Sequence, residues 1–291
     1  MRITDNMRFA SVQRSLSSLR SRQAELTDQI SSGSRIGAPS DDPIAAAGLA
    51  RLSAQAARTA DYRATISTVR SDISLSEGNL AEASSLMVRA HELALQGSNG
   101  TLSTADRRML AVEVAGLQEQ LVSTANARGS RGFLFSGNLT DTAALSSSGV
   151  YQGDDQAQQV ELAPGVVDGV TVTGAQAFTA AGGTDAFATL TALRQALEAD
   201  DAEQVAATLG NIESSRSQIV RVQANAGLIM NRLDSADEAL AVTGLELERR
   251  RSVLGDVDPF SALSELSQLS TTLEQAIAIA RNTLLGSGNL F

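Results

Sequence analysis

Apolar residues recur at both ends of this chain in the alternating three-and-four rhythm of a helix that needs another helix against it. Near the start the seam is Phe9, Val12, Leu16, Leu19, Gln23, Leu26 and Ile30. Near the end Leu263, Leu266, Ser270, Leu273, Ile277, Ala280 and Leu284 keep the same spacing. Neither seam has a mate close by in sequence. The two termini are therefore expected to pair, with everything else inserted between them.

The first helix should stop near Gly33, since Gly suits the left-handed residue after a last turn. Ser40, Asp41 and Asp42 then precede Pro43, which is N-cap chemistry with Pro at the first helical position. From there Ile66, Val69, Ile73, Leu80, Met87 and Ala94 mark one stripe of a second helix running to about Gln96. At a rise of ~1.5 Å per residue it would be roughly 80 Å long, whereas a compact chain of this length would measure only about 50 Å across. An elongated molecule is expected. Ser103 followed by Asp106 resembles a capping box for a third helix, and the short loop before it makes that helix an antiparallel neighbour of the second.

At Gly129 the pattern changes. Phe133-Leu134-Phe135, Val150-Tyr151, Gln159 to Leu162 and Gly169 to Thr173 have strand character and are separated by Gly, Asp, Ser and Pro. They predict a small β-rich insert projecting from the side or tip of the helical body. Phe187, Leu190, Leu193 and Leu197 suit a short helix, and Asp201 to Leu254 is again very long. Gly255 to Pro259 then breaks the pattern, mirroring the break from Gly33 to Pro43.

The expected fold is mainly α: an elongated rod of long antiparallel helices, coiled coil or bundle, with the N- and C-terminal helices paired and a small β-rich insert. Its expected domains are residues 1–43 with 256–291, a terminal paired-helix domain; 44–130 with 186–255, a helical rod; and 131–185, the insert. The terminal seams are thin for the length of backbone they must order. Phe9, Val12, Leu16, Leu19, Leu26, Ile30, Leu263, Leu266, Leu273, Ile277 and Leu284 are thus expected to be subunit-packing residues. The terminal pair would be mobile in a monomer and ordered when neighbouring subunits cover its remaining faces.

Composition narrows the function. The 291 residues include 3% aromatics and no Trp, which suits helix seams better than a thick core. A net charge of −10 argues against nucleic acid as a partner. No apolar run is long enough to span a bilayer, so no membrane partner is expected. Cys is absent, which excludes disulfides and thiolate metal sites. The Arg-rich, Ser-rich first 22 residues have the make-up of a transit peptide, but the seam begun at Phe9 continues unbroken past any cleavage point.

No catalytic constellation is present. His91 is the single histidine, so no triad or transition-metal site can be built around it. Gly182-Gly183 and Gly286-Ser287-Gly288 lack the Lys-Ser or Lys-Thr of a phosphate loop. Asp154-Asp155 and Asp256 with Asp258 do not match a calcium loop, and turn chemistry accounts for them. Neither an enzyme nor a cofactor or metal protein is expected.

The chain resembles the flagellin superfamily, whose members pair their terminal helices in the core of a tubular assembly. The resemblance is carried by Gln29-Ile30-Ser31-Ser32-Gly33-Ser34-Arg35-Ile36 followed by Asp41-Asp42-Pro43. Ala125-Asn126, Phe133-Leu134-Phe135-Ser136-Gly137, Tyr151-Gln152-Gly153-Asp154 and Asn231-Arg232-Leu233 support it. Pro43-Ile44-Ala45 after the paired Asp, where filament flagellins usually have Ala-Ala-Gly, points to the members found at the junction of hook and filament. The start Met1-Arg2-Ile3 and the Tyr-x-Gly-Asp turn favour the same members. Two features depart from the pattern: the tail from Leu284 to Phe291 lacks the expected Ser-Leu-Leu-aromatic ending, and the insert is short.

The resemblance implies an extracellular structural subunit exported by the flagellar type III apparatus, with an export chaperone and without a cleaved signal. It implies self-association in a ring between hook-associated protein 1 and flagellin, with Arg35, Asp41 and Asp42 as linker contacts. A minor filament flagellin is the alternative.

Overall fold

The computed structural model describes residues 2–286, with the side chains of residues 2–6, 8, 9 and 282–286 outside the description. Seven α-helices dominate the described chain. They are α1 (Arg2–Ser32), α2 (Pro43–Gly97), α3 (Thr104–Ala125), α4 (Gly174–Phe178), α5 (Ala186–Glu198), α6 (Ala202–Gly255) and α7 (Pro259–Gly286). Between α3 and α4 lie two two-stranded antiparallel sheets, β1 (Arg128–Gly129) with β2 (Gly132–Phe133) and β3 (Gln159–Ala163) with β4 (Val166–Gly169). The mainly α architecture with long helices and a small β-containing insert matches the sequence expectation.

The chain divides into two compact units, Met1–Arg58 with Thr243–Phe291, and Thr59–Val242. The divisions fall within α2 and α6 rather than at the Gly33 and Gly255 breaks.

In the unit of residues 59–242, α2 and α6 run antiparallel. Arg63 pairs with Asp237 at 2.7 Å and Arg70 with Asp234 at 3.1 Å, so numbers rise on one helix as they fall on the other. Ile66, Ile73, Met87 and Leu93 of α2 share a core with Val114 and Leu121 of α3, Leu190 and Leu197 of α5, and Ile212, Ile219 and Leu233 of α6. Ser103 caps α3 by accepting from the Asp106 amide, the capping geometry that the Ser-x-x-Asp spacing predicted. At the end of α2, Gly97 is close-packed: a Cβ there would lie 2.4 Å from Leu197 Cδ2. The buried guanidinium of Arg107 donates to the carbonyls of Gly97 and Asn99 and pairs with Asp200, a residue held at φ 59°.

The insert differs from expectation in two ways. It does not project as a separate body, because Phe135, Val170, Val172 and Phe178 belong to the same buried cluster as the helices. Phe135 and Phe178 meet edge to face with ring centroids 5.5 Å apart. It is also less strand-rich: Phe133 pairs in β2 but Leu134 and Phe135 turn into the core, Tyr151 makes one isolated bridge to Leu145, and the last strand covers Val166–Gly169 rather than 169–173. Apolar runs this short signal burial equally well as strand or as loop.

Side-chain hydrogen bonds fasten the insert. Buried Asp72 of α2 accepts from the Ser130 amide at 2.7 Å, Ser130 Oγ at 2.9 Å and Arg131 Nε at 2.9 Å. Asn126 exchanges two 2.8 Å bonds with the Leu145 backbone. Gln218 of α6 donates to the carbonyls of Ala177, Thr179 and Thr184 and accepts from the Thr184 amide. Arg232 of α6 pairs with Asp168 of β4 at 2.8 Å.

Candidate functional site

The candidate assembly surface is the terminal unit, built from α1, α7, the start of α2 and the end of α6. Each terminal helix forms for a local reason. α1 is free of Pro and Gly through Ser32 and stops at Gly33, which takes φ 70° as the left-handed position requires. α7 starts at Pro259, and Asp258 accepts from the Phe260 amide at 3.1 Å. α2 starts by the same device, with Pro43 first and Asp42 Oδ1 accepting from the Ala45 amide at 3.0 Å.

The two linkers run side by side. Ser34 and Asp256 form an antiparallel bridge, with the Arg35 amide donating to Gly255 O at 2.7 Å and the Val257 amide to Gly33 O at 3.0 Å. Arg35 Nη2 adds a 2.9 Å bond to Leu254 O and lies 3.6 Å from Asp42. Asp41 Oδ2 accepts from the amides of Gly37 and Ala38 at 3.0 and 2.7 Å, which shapes the turn between helices. Beside them α2 and α6 meet at glycines: a Cβ on Gly48 would lie 2.8 Å from Leu254 Cδ2, and one on Gly255 2.9 Å from Leu49 Cδ2. Within this unit Arg35, Asp41 and Asp42 hold the chain's own backbone.

α1 packs against α7. On α1, Val12, Leu16, Leu19, Gln23 and Ile30 are half-buried and Leu26 is fully buried, as the seam was drawn. On α7 the inward stripe is rotated from the drawn one. Ala262, Leu266, Leu269, Leu273, Ala276 and Ala280 face inward, while Leu263 and Ile277 are exposed. Both stripes share Leu266, Leu273 and Ala280; they differ in whether the alternate positions lie four or three residues before these. α7 carries Ala262, Leu269 and Ala276 at one set and Leu263 and Ile277, with Ser270, at the other, so periodicity alone could not choose. Phe9 and Leu284 lie outside the described side chains, and residues 287–291 of the tail outside the described chain.

Arg22 crosses the helix pair to Glu265 at 2.9 Å and also meets Glu25 at 3.0 Å. An open cleft of about 530 Å³ lies between the linkers and the helix pair, lined by Arg22, Leu26, Arg35, Asp42, Asp256 and Glu265 among others. It holds no nucleophile paired with a base. Among the described residues no group of three His, Asp or Glu is placed to hold a metal, and no helix is long and apolar enough to cross a membrane. What the unit offers is surface: Ile44, Val253 and Phe260 are each more than four-fifths exposed.

Comparison with known proteins gives one consistent group. The bacterial flagellin N-terminal helical region matches residues 3–140 and its C-terminal helical region matches residues 209–282. Flagellar hook-associated protein 3 of Escherichia coli K12 is 30% identical over 94% of both chains, and that of Salmonella typhimurium LT2 is 29% identical over the same shares. A solved structure from Vibrio parahaemolyticus, assigned to a flagellar hook-associated protein, is 27% identical with a TM-score of 0.69, covering 74% of this chain and 99% of its own.

Proposed function

The chain belongs to the bacterial flagellin family, and we propose that within it this protein is the structural adapter at the junction of hook and filament. One observation carries this reading: the likeness to hook-associated protein 3 runs across 94% of both chains. The family matches over residues 3–140 and 209–282 take in the linkers and most of both terminal helices. The work of such a subunit is mechanical. It presents one helical face towards the hook side and another towards the filament side.

Self-association in a ring, with hook-associated protein 1 on one side and flagellin on the other, follows as the partner set. Export by the flagellar type III apparatus with a dedicated chaperone completes it. The terminal seams supply the subunit-packing surface. Arg35, Asp41 and Asp42 fix the linkers from which both terminal helices leave, and their remaining exposed faces are the linker contacts. The working division of labour is the terminal pair for packing and the helical body, with the insert packed into its core, for reach.

The experiment is immunogold microscopy of flagella with antibody raised against residues 138–180. Label at a single point between hook and filament is expected. Label along the whole filament would overturn the junction role and make this a filament flagellin. Deletion of the gene gives a second readout: a junction protein's loss releases flagellin into the medium, and a minor flagellin's loss leaves filaments largely intact.

A further inference from the structure

Asn99 is the one asparagine in the sequence that is followed by Gly. It lies in the loop between α2 and α3, where both Asn99 and Gly100 are exposed. The Leu102 amide donates to Asn99 O at 3.1 Å, which closes a tight turn over residues 99–102. Asn99 Oδ1 accepts twice from Thr101, from its amide at 3.0 Å and its hydroxyl at 2.9 Å. Arg107 Nη2 holds the Asn99 carbonyl at 2.8 Å.

Two groups in this turn stay unbound. Among the described residues neither the Gly100 amide nor Asn99 Nδ2 makes a hydrogen bond. A Cβ on Gly100 would meet nothing within 4 Å, so its nitrogen is open to solvent. That nitrogen and Asn99 Cγ are the two atoms whose union closes a five-membered ring with the Asn99 main chain. Both bonds from Thr101 end on the oxygen that gains negative charge when Cγ is attacked, the arrangement that stabilises an oxyanion. Asp168-Gly169 could close the same ring but is protected: it lies in β4, and Arg232 holds the Asp168 carboxylate at 2.8 Å.

We infer that Asn99 is a self-modifying site, with Gly100 as the nucleophile and Thr101 as the positioning residue. The Gly100 nitrogen gives its proton to hydroxide and bonds to Asn99 Cγ. The Cγ–Nδ2 bond breaks, and the amide nitrogen takes a proton from water and leaves as ammonia. Water then opens the succinimide at either carbonyl, giving aspartate or isoaspartate. Each event adds one negative charge to the loop. The aspartate keeps the acceptor that Thr101 needs. The isoaspartate lengthens the main chain by one carbon inside the 99–102 turn and makes a free carboxylate of the carbonyl that Arg107 grips. None of this chemistry depends on the adapter role.

The test is incubation of the full chain at mildly alkaline pH, followed by cleavage after Arg, which isolates residues 90–107. Mass spectrometry and labelling by isoaspartyl methyltransferase read that peptide. Asn99 should convert at least tenfold faster than any other asparagine, at a rate that rises with pH. Gly100→Ala fits the open space and should slow conversion at least tenfold. Thr101→Val removes the hydroxyl donor and should slow it at least threefold, and Thr101→Ser should restore the wild-type rate, all with unchanged helical circular dichroism. An Asn99 that stays intact, or a Gly100→Ala variant that converts like the wild type, would overturn the site. A Thr101→Val variant that converts like the wild type would overturn the positioning role.

Discussion

Arg22 and Glu265 clasp the terminal helices together: Nε and Nη2 of the arginine donate to the same carboxylate oxygen at 3.1 and 2.9 Å, and Glu25 holds the other side of the guanidinium at 3.0 Å. Both partners are about half exposed, so the pair orients the helices more than it stabilises them. A double-mutant cycle with Arg22→Ala and Glu265→Ala should give a coupling of about 0.2–1 kcal/mol that disappears in 1 M salt. Leu26, fully buried one turn away, should matter more. Leu26→Ala is expected to cost roughly 2–5 kcal/mol and to release α1 as a helix, read by circular dichroism and amide exchange.

The buried apolar side chains of the α1–α7 pair, among those described, are Leu26, Ala262 and Ala280, while the core of residues 59–242 has large side chains from α2, α3, α5 and α6. Local stability follows buried apolar contact. In dilute protein, amides of residues 10–30 should exchange faster by orders of magnitude than those of residues 66–94 and 205–233. Equal protection of the two sets would refute a mobile terminal pair.

Asp72 is a carboxylate in the middle of a helix, buried to 3% exposure. Burial alone would raise its pKa, but the bonds from Arg131 and Ser130 win and hold it below the usual carboxylate value. A group with a depressed folded pKa adds stability at neutral pH that is lost as pH falls through that pKa. Asp72→Asn should cost about 1.5–3 kcal/mol at pH 7. The difference between variant and wild type should shrink below about pH 4, where the unfolded carboxyl also protonates. Denaturant titrations at pH 7 and pH 3 check both parts.

Tyr151 closes the insert, its hydroxyl lying 2.8 Å from the carbonyls of both Phe135 and Asp154. Burial, followed by the nearby charges of Asp154 and Asp155, pushes its pKa up to about 12. One of the two tyrosines should therefore resist ionisation until about pH 12 in an absorbance titration of the folded protein. Because the folded value is raised, stability falls as pH climbs from the unfolded value near 10 towards 12. Tyr151→Phe should cost about 0.5–1.5 kcal/mol at pH 7 and abolish the late titration step.

Arg107 has no solvent to fall back on. Arg107→Ala would strand the carbonyls of Gly97 and Asn99, so a loss of about 1–3 kcal/mol is expected, while Asp200, a third exposed, keeps the Thr104 hydroxyl as a donor. Thermal unfolding of the variant measures it.

Local chemistry was enough to place the helix ends. Gly33 at φ 70°, Asp42-Pro43 and Asp258-Pro259 at helix starts, and Ser103 with Asp106 are each decided within four residues, and the folded chain keeps them all. The α1 seam was legible for a similar reason, since α1 has a single apolar stripe. Arg35, Asp41 and Asp42 could be picked out from the linker, but their hold on Leu254, Gly37, Ala38 and Ala45 depends on backbone that folding brings together. Nothing in sequence marked Asp72, Arg107 or Gln218 as anchors; each is an ordinary polar residue on a helix until its partners, far away in the chain, arrive.

The sequence by itself determined which segments are helices, where they stop and that the ends pair, because those outcomes rest on hydrophobic period, capping and backbone dihedrals. Tertiary structure alone decided which of two apolar stripes on α7 turns inward and how the insert is buried. Helical period repeats around the cylinder and short apolar runs suit strand and loop alike; only packing against α1 in the first case, and against Phe178 in the second, breaks those ties.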